Sequence, residues 1–291
     1  TKTASAGWAF PQPPNSTVVG IDISTTGNYL FLLNDNNYNG QRSIIRYTLP
    51  TLWDHTTATS GVETIISQSV GSHPYFDTTG TRLYLVNQDQ WNTSYNSRTV
   101  YQYTLSTAWT PSTMSLTRTV TFPTNITMPA NWALNSFHIN STGTHGYLVY
   151  SGVNYTPPGS VSGSGPAYIE HFTLSTPYDL STYTYRDSFT STFLATDIQT
   201  VRVSNDGKHL YVMGSIGYGY GIQRFELKTP FYTTGLDPWK PSNSITFGYS
   251  PWIRGWAFPK DETINYMFAA LYDTKNIIRY TSLTQVVTGN Y

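Results

Sequence analysis

The sequence predicts an all-β fold: a five-bladed β-propeller with four antiparallel strands per blade, the last blade closed by the N-terminal strand. Three observations predict it. A nine-residue phrase recurs about five times, a second phrase follows most of its copies, and no stretch of ten or more residues carries helical periodicity. A period of roughly 50–65 residues marks a repeat architecture, and four strands per repeat is the content of a propeller blade.

The first phrase contains a turn and the strand after it. Its copies are Ser24-Thr25-Thr26-Gly27-Asn28-Tyr29-Leu30-Phe31-Leu32, Asp77-Thr78-Thr79-Gly80-Thr81-Arg82-Leu83-Tyr84-Leu85 and Ser204-Asn205-Asp206-Gly207-Lys208-His209-Leu210-Tyr211-Val212. A looser copy surrounds Gly143, and the copy at 259–267 has lost its Gly. Gly supplies the positive φ of such turns at little cost. Before each turn a short alternating or apolar strand is expected, at 18–23, 73–76, 137–139, 200–203 and 255–258.

The third strands alternate β-branched and aromatic residues, as in Ser43-Ile44-Ile45-Arg46-Tyr47-Thr48-Leu49 and Tyr168-Ile169-Glu170-His171-Phe172-Thr173-Leu174. The second phrase follows: Leu49-Pro50-Thr51-Leu52-Trp53-Asp54, Leu105-Ser106-Thr107-Ala108-Trp109-Thr110, Leu174-Ser175-Thr176-Pro177-Tyr178-Asp179 and Leu227-Lys228-Thr229-Pro230-Phe231-Tyr232. A Thr-rich fourth strand ends the unit. The fifth unit stops after its third strand, so residues 3–10 are expected to supply the missing one and remove an exposed edge. Gly7-Trp8-Ala9-Phe10-Pro11 also matches Gly255-Trp256-Ala257-Phe258-Pro259, which would make Trp8 part of a first strand. Closure is preferred because residues 11–17 then link to the next blade. One domain, 1–291, results, with blades at roughly 18–68, 69–124, 131–192, 197–249, and 252–291 plus 3–10.

The two phrases, Ser-x-Asp-Gly-x-x-Leu-Tyr-Val and Leu-Ser-Thr-Pro-Trp-Asp, resemble a propeller repeat family of bacterial, archaeal and phage proteins, many of them surface, secreted or virion-associated. This chain departs from the pattern: Tyr178 and Phe231 replace Trp, two units lose the Asp, and the fifth lacks the second phrase. The resemblance implies the fold and no shared catalytic residues.

Composition narrows the partners. Of 291 residues, 38% are hydrophobic and 15% aromatic, enough for a sizeable core, while 11% are charged and the net charge is +0. Typical domains carry about 25% charged residues. No electrostatic grip on nucleic acid or anionic lipid is expected, and no run reaches the roughly 20 apolar residues of a membrane span. With no Cys, disulfides and thiolate metal sites are excluded. The first residue is Thr1, consistent with a removed leader or a fragment.

Candidate chemistry lies where the units differ. The loops between second and third strands, residues 34–41, 87–97, 151–167, 214–220 and 272–275, carry Tyr38, Trp91, Tyr95, Tyr155, Tyr218, Tyr220 and Tyr272 among amides and hydroxyls. Flat rings beside such groups suit sugars, so these residues form the expected ligand-binding set. The phrase aromatics Trp53, Trp109, Tyr178 and Phe231 are read as plugs of the blade edge, and Tyr47, Tyr103, Phe172, Phe225 and Tyr280 as core between blades. Asp35-Asn36-Asn37-Tyr38-Asn39-Gly40 imitates the start of a calcium loop, but Arg46 stands at its twelfth position, where a cation needs Glu. Asp22, Tyr75, His138, Arg202 and Ala257 hold equivalent places in the first strands and are read as a buried hydrogen-bonded network. Only Asp22 among them is a carboxylate, whereas glycoside hydrolysis needs two. Asp77 and Asp197 lie at other registers, and the His residues show no metal spacing.

These readings lead to an expected function: a non-enzymatic structural or attachment module, extracellular or on a virion surface, with a phage appendage or decoration protein favoured. Its loop face would meet a glycan or another virion or surface-layer protein, without cofactor or metal. The alternative is a secreted glycan-processing enzyme using channel-mouth carboxylates.

Overall fold

Each repeat folds as one antiparallel sheet with its strands in chain order. The structure, a computed structural model, describes residues 3–4, 8–9, 16–36, 41–68, 70–71, 73–87, 98–123, 132–152, 155–156, 160–161, 167–191, 198–216, 219–236, 243–246, 253–258, 266–271 and 276–281. The fold is the five-bladed β-propeller that the repeats predict. Blade 1 comprises Ser16–Ile23, Tyr29–Asn36, Arg42–Thr48 and Val62–Ile66. Blade 2 comprises Tyr75–Phe76, Arg82–Val86, Thr99–Leu105 and Met114–Thr121. Blade 3 comprises Trp132–Ile139, His145–Gly152, Ala167–Leu174 and Tyr183–Ser191. Blade 4 comprises Ile198–Val203, His209–Ile216, Gly219–Glu226 and Asn243–Thr246.

Blade 5 joins Ile253–Ala257, Tyr266–Leu271 and Asn276–Thr281 to the N-terminal segment. Thr3 lies opposite Thr281 and Trp8 opposite Ile277, so five steps on one strand match four on the other. The N-terminus therefore closes the last blade, and Trp8 belongs to the closing strand.

By contacts the chain divides into two compact units, Thr1–Asn87 with Tyr101–Thr119 and Pro251–Val287, and Gln88–Val100 with Val120–Ser250 and Thr288–Tyr291. In the first unit, strand alternation gives each sheet two apolar faces. Leu30 and Leu32 pack with Phe268, Ala270 and Ile277 of blade 5, while Phe31 and Leu33 pack with Phe76, Leu83 and Leu85 of blade 2. In the second unit, Tyr147, Val149 and Ile169 of blade 3 pack with Val201, Leu210, Val212 and Phe225 of blade 4. The five core aromatics, Tyr47, Tyr103, Phe172, Phe225 and Tyr280, are all buried.

The first strands of blades 1, 3, 4 and 5 each carry a one-residue irregularity, between Val18 and Gly20, Leu134 and Ser136, Ile198 and Thr200, and Ile253 and Gly255. Backbones meet closely there. A Cβ on Gly20 would lie 2.6 Å from the His73 nitrogen, and one on Gly255 would lie 2.9 Å from Ile21 Cγ2. In the second unit, Ser136 Oγ donates to Thr200 Oγ1 at 3.0 Å, joining two bulges directly. His73 does not begin the first strand of blade 2 as expected. Its φ of 39° is left-handed, and the strand starts at Tyr75.

The two phrases form one device. Gly27, Gly80, Gly143 and Gly207 all have positive φ, and so do Trp53, Trp109, Tyr178 and Phe231. Each aromatic N–H donates to the carbonyl of its Gly, at 2.9, 2.8, 2.8 and 2.7 Å. The ring then covers the space where a Gly side chain would stand; a Cβ on Gly207 would lie 2.5 Å from Phe231 Cε2. Asp54 and Asp179 cap the short 3₁₀ turns that follow by accepting from Thr56 N and Ser181 N. These aromatics are thus edge plugs, as expected.

The plug is also where the preceding blade attaches. Arg279 Nη1 donates to the Trp53 carbonyl at 2.8 Å, and Arg46 Nη1 donates to the Trp109 carbonyl at 3.1 Å. In the second unit Tyr147 OH donates to the Phe231 carbonyl at 2.6 Å. Tyr147→Phe is expected to cost about 1 kcal/mol, read as a lower urea midpoint with unchanged slope.

Candidate functional site

Buried polar groups without partners gather at the loop end of blades 1 and 2, within the first unit. The second strand of blade 1 runs on to Asn36, so Asn34 and Asp35 belong to the strand and not to the loop. Asp35 lies opposite Arg42 across the hairpin, and the two form an ion pair at 3.0 Å with both side chains almost fully buried. Arg42 Nη1 also donates to the Gly71 carbonyl at 3.3 Å, in the link to blade 2. Gly71 N donates to the Val86 carbonyl at 2.8 Å, which brings the link beside Asn87 at the end of the next strand.

Asp35 Oδ1 of this ion pair, Asn87 Oδ1 and, two residues past Gly71, both ring nitrogens of His73 are buried and have no partner among the described residues. Asn34 turns to the opposite face, where its Oδ1 is likewise unpartnered. Folded proteins leave few such groups, and a cluster of them points to a site that a ligand or solvent completes. Burial pushes the Asp35 carboxyl above the usual carboxylate range, against the pull of Arg42. Burial lowers His73 to about 4, so at neutral pH its imidazole is uncharged and offers one donor and one acceptor. The corner thus combines an acid that retains its proton more readily than usual, a fixed cation and uncharged hydrogen-bonding groups.

The expected sugar-binding residues are mostly beyond view. Tyr38, Trp91, Tyr95, Tyr218 and Tyr272 lie outside the described residues. Tyr155 is in a two-residue strand, Tyr155–Thr156, paired with Ser160–Val161; its side chain is outside the description. Tyr220 is half-buried in the third strand of blade 4, opposite Ser215. The hairpin there extends to Ile216 and resumes at Gly219, so most of the expected loop 214–220 is sheet.

Two of the three carboxylates named for channel chemistry, Asp22 and Asp77, hold the scaffold together. Asp22 Oδ1 accepts from Ile23 N and Oδ2 from Phe76 N, both at 2.8 Å, joining blade 1 to blade 2. Asp77 accepts from Thr81 N and Arg82 N and so shapes its own turn. Asp197 lies outside the described residues. The calcium-loop likeness ends at its first position, since Asp35 faces Arg42 in a strand. Sequence reading missed Arg42, His73 and Asn87. The available signal was opposite charge at both ends of one hairpin in a chain that is only 11% charged.

No family model and no curated protein sequence matches the chain. Solved structures do. The α-L-arabinofuranosidase of Podospora anserina, solved with cellotriose, is 15% identical with a TM-score of 0.51, over 97% of this chain and 96% of that one. A candidate 6-phosphogluconolactonase from Bacteroides uniformis is 15% identical, with a TM-score of 0.48 over 95% and 83%. The Malassezia sympodialis allergen Mala s 1 is 10% identical, with a TM-score of 0.47 over 95% and 80%.

The first of these overturns the expectation of a non-enzymatic attachment module. A propeller matching nearly the whole chain is a glycoside hydrolase, so the fold is no warrant for a passive role. The virion, phage and adhesion assignments find no support among these likenesses. The resemblance to propeller repeat proteins stands at the level of fold.

Proposed function

We propose that the chain is a glycan-processing enzyme, a hydrolase of glycosidic bonds, with its site at the loop end of blades 1 and 2. The observation that carries this reading is Asp35: a buried carboxyl with an unpartnered oxygen and a pKa raised by burial. Protonating a leaving glycosidic oxygen requires such a group. Glycoside hydrolysis also requires a second carboxylate. That second group is not assigned among the described residues, so the reading rests on Asp35. Tyr38 follows Asn36 by two residues in sequence, and its ring is of the kind that suits a sugar face. The arabinofuranosidase shows that this fold accommodates the chemistry. The likeness of the paired phrases to secreted and surface propeller proteins fits an extracellular glycan substrate.

The test is turnover of a panel of aryl glycosides and arabinose-bearing or β-linked polysaccharides, read as reducing ends released. Asp35→Asn is expected to lower turnover sharply. Tyr38→Ala is expected to raise KM more than it lowers kcat. Because Asp35 must be protonated to act, activity falls as pH rises through its raised pKa. A folded Asp35→Asn protein with full activity would refute the assignment.

A further inference from the structure

The blade 3 to blade 4 junction departs from the repeat. At the position of Arg46 and Arg279, blade 3 has His171, whose side chain is fully buried. His171 Nδ1 lies 3.2 Å from Asp187 Oδ1, and His171 Nε2 lies 3.0 Å from His145 Nδ1. Asp187 accepts from Thr233 N and Thr233 Oγ1 at 3.1 and 2.9 Å. It also accepts from Thr234 N and Thr234 Oγ1 at 3.3 and 2.7 Å. Both threonines belong to the plug turn of blade 4, and the His145 ring stacks on Phe231 with centroids 4.1 Å apart. The groups facing the pair are Asp187 and Arg186 from the fourth strand, Tyr147 from the second, and Tyr232 edge-on from the plug turn.

Proton counting gives this chain two states. With both imidazoles neutral, His171 donates to Asp187 and accepts from His145. One added proton makes His171 donate at both ends while His145 accepts, and no hydrogen bond is lost. A second proton sets two cations side by side, each with an N–H where the other needs an acceptor. We propose that this junction is a proton-operated latch: the Asp187–His171–His145 chain holds one proton intact, and a second separates the imidazoles and loosens the plug turn of blade 4.

The electrostatics agree in sign. Burial, the neighbouring His171 and Arg186 lower His145 to about 4. Burial pushes the Asp187 carboxyl up, but bonds from His171, Thr234 and Thr233 outweigh it and leave it at about 2. His145 therefore binds fewer protons folded than unfolded between pH 6.5 and about 4, so its contribution to stability is lost as pH falls through that window. Asp187 remains ionised throughout the window, so His145 is the group whose change can be followed there. His73, lowered to about 4 in the first unit, adds its own acid sensitivity. A whole-protein melt alone is therefore not diagnostic.

Hydrogen exchange on the intact chain separates the two. From about pH 7 to about pH 4.5, protection of the Thr233 and Thr234 amides should fall at least about tenfold relative to Thr113, in the same turn of blade 2. In His145→Gln, which keeps a hydrogen-bonding side chain and does not titrate, that differential loss should vanish. The His145 ring should titrate near 4 by NMR. Equal loss at both turns in the wild type, or a His145 midpoint at its ordinary value, would overturn the latch.

Discussion

Gly80→Ala is expected to destabilise the protein by about 3–5 kcal/mol. Two costs combine. A side chain at a φ of 71° is strained by about 1–2 kcal/mol. The added Cβ would also overlap the Trp109 ring, which cannot retreat. That ring is fixed by its own φ of 60° and lies 6.1 and 5.7 Å from the rings of Phe31 and Phe76. Gly235→Ala separates the costs. Gly235 has a φ of 80°, but its Cβ would meet only Lys228, at 3.5 Å and beyond. It should lose the strain alone, about 1–2 kcal/mol. Equal urea midpoints for the two variants would mean that the ring does not seat on the glycine. Domain stabilities are only about 5–15 kcal/mol, so Gly80→Ala should approach the limit of folding.

The second large effect is on chemistry. Asp35→Asn removes the proton the proposed acid delivers while keeping an oxygen for Arg42 to bond. Turnover should fall about 10²–10⁴-fold, the usual value of general acid catalysis. The change also removes the ion pair of the buried Arg42 with Asp35, which costs stability. A melt must therefore accompany the rate. If the variant does not fold, the alkaline limb of the wild-type pH profile reports the same carboxyl.

Much of the fold was legible because the repeat writes its constraints locally. The Gly turn, the alternating third strand and the aromatic plug each follow from backbone sterics and burial; the strand recurs in five units and the Gly turn with its plug in four. The N-terminal closure was legible from the fifth unit's missing strand. The bulges in four first strands were not, because they arise where two backbones meet and no single residue announces them. The candidate site was hidden for a related reason. Asp35 and Arg42 are seven residues apart in sequence, and only the hairpin register sets them face to face. Read without that register, Asp35 resembled a calcium ligand. Asp22 was legible as a buried hydrogen-bonded group, but its partner, the backbone N–H of Phe76, is one that a sequence does not display. His171 stood in plain view in the column of Arg46 and Arg279, but its bond to His145 crosses 26 residues.

The most direct test of a glycan-processing role is the turnover ratio of wild type to folded Asp35→Asn on a glycoside the wild type cleaves. The account predicts a ratio of at least about 100, with wild-type activity declining as pH rises. A ratio near one, or folded wild type that cleaves nothing in the panel, would contradict it.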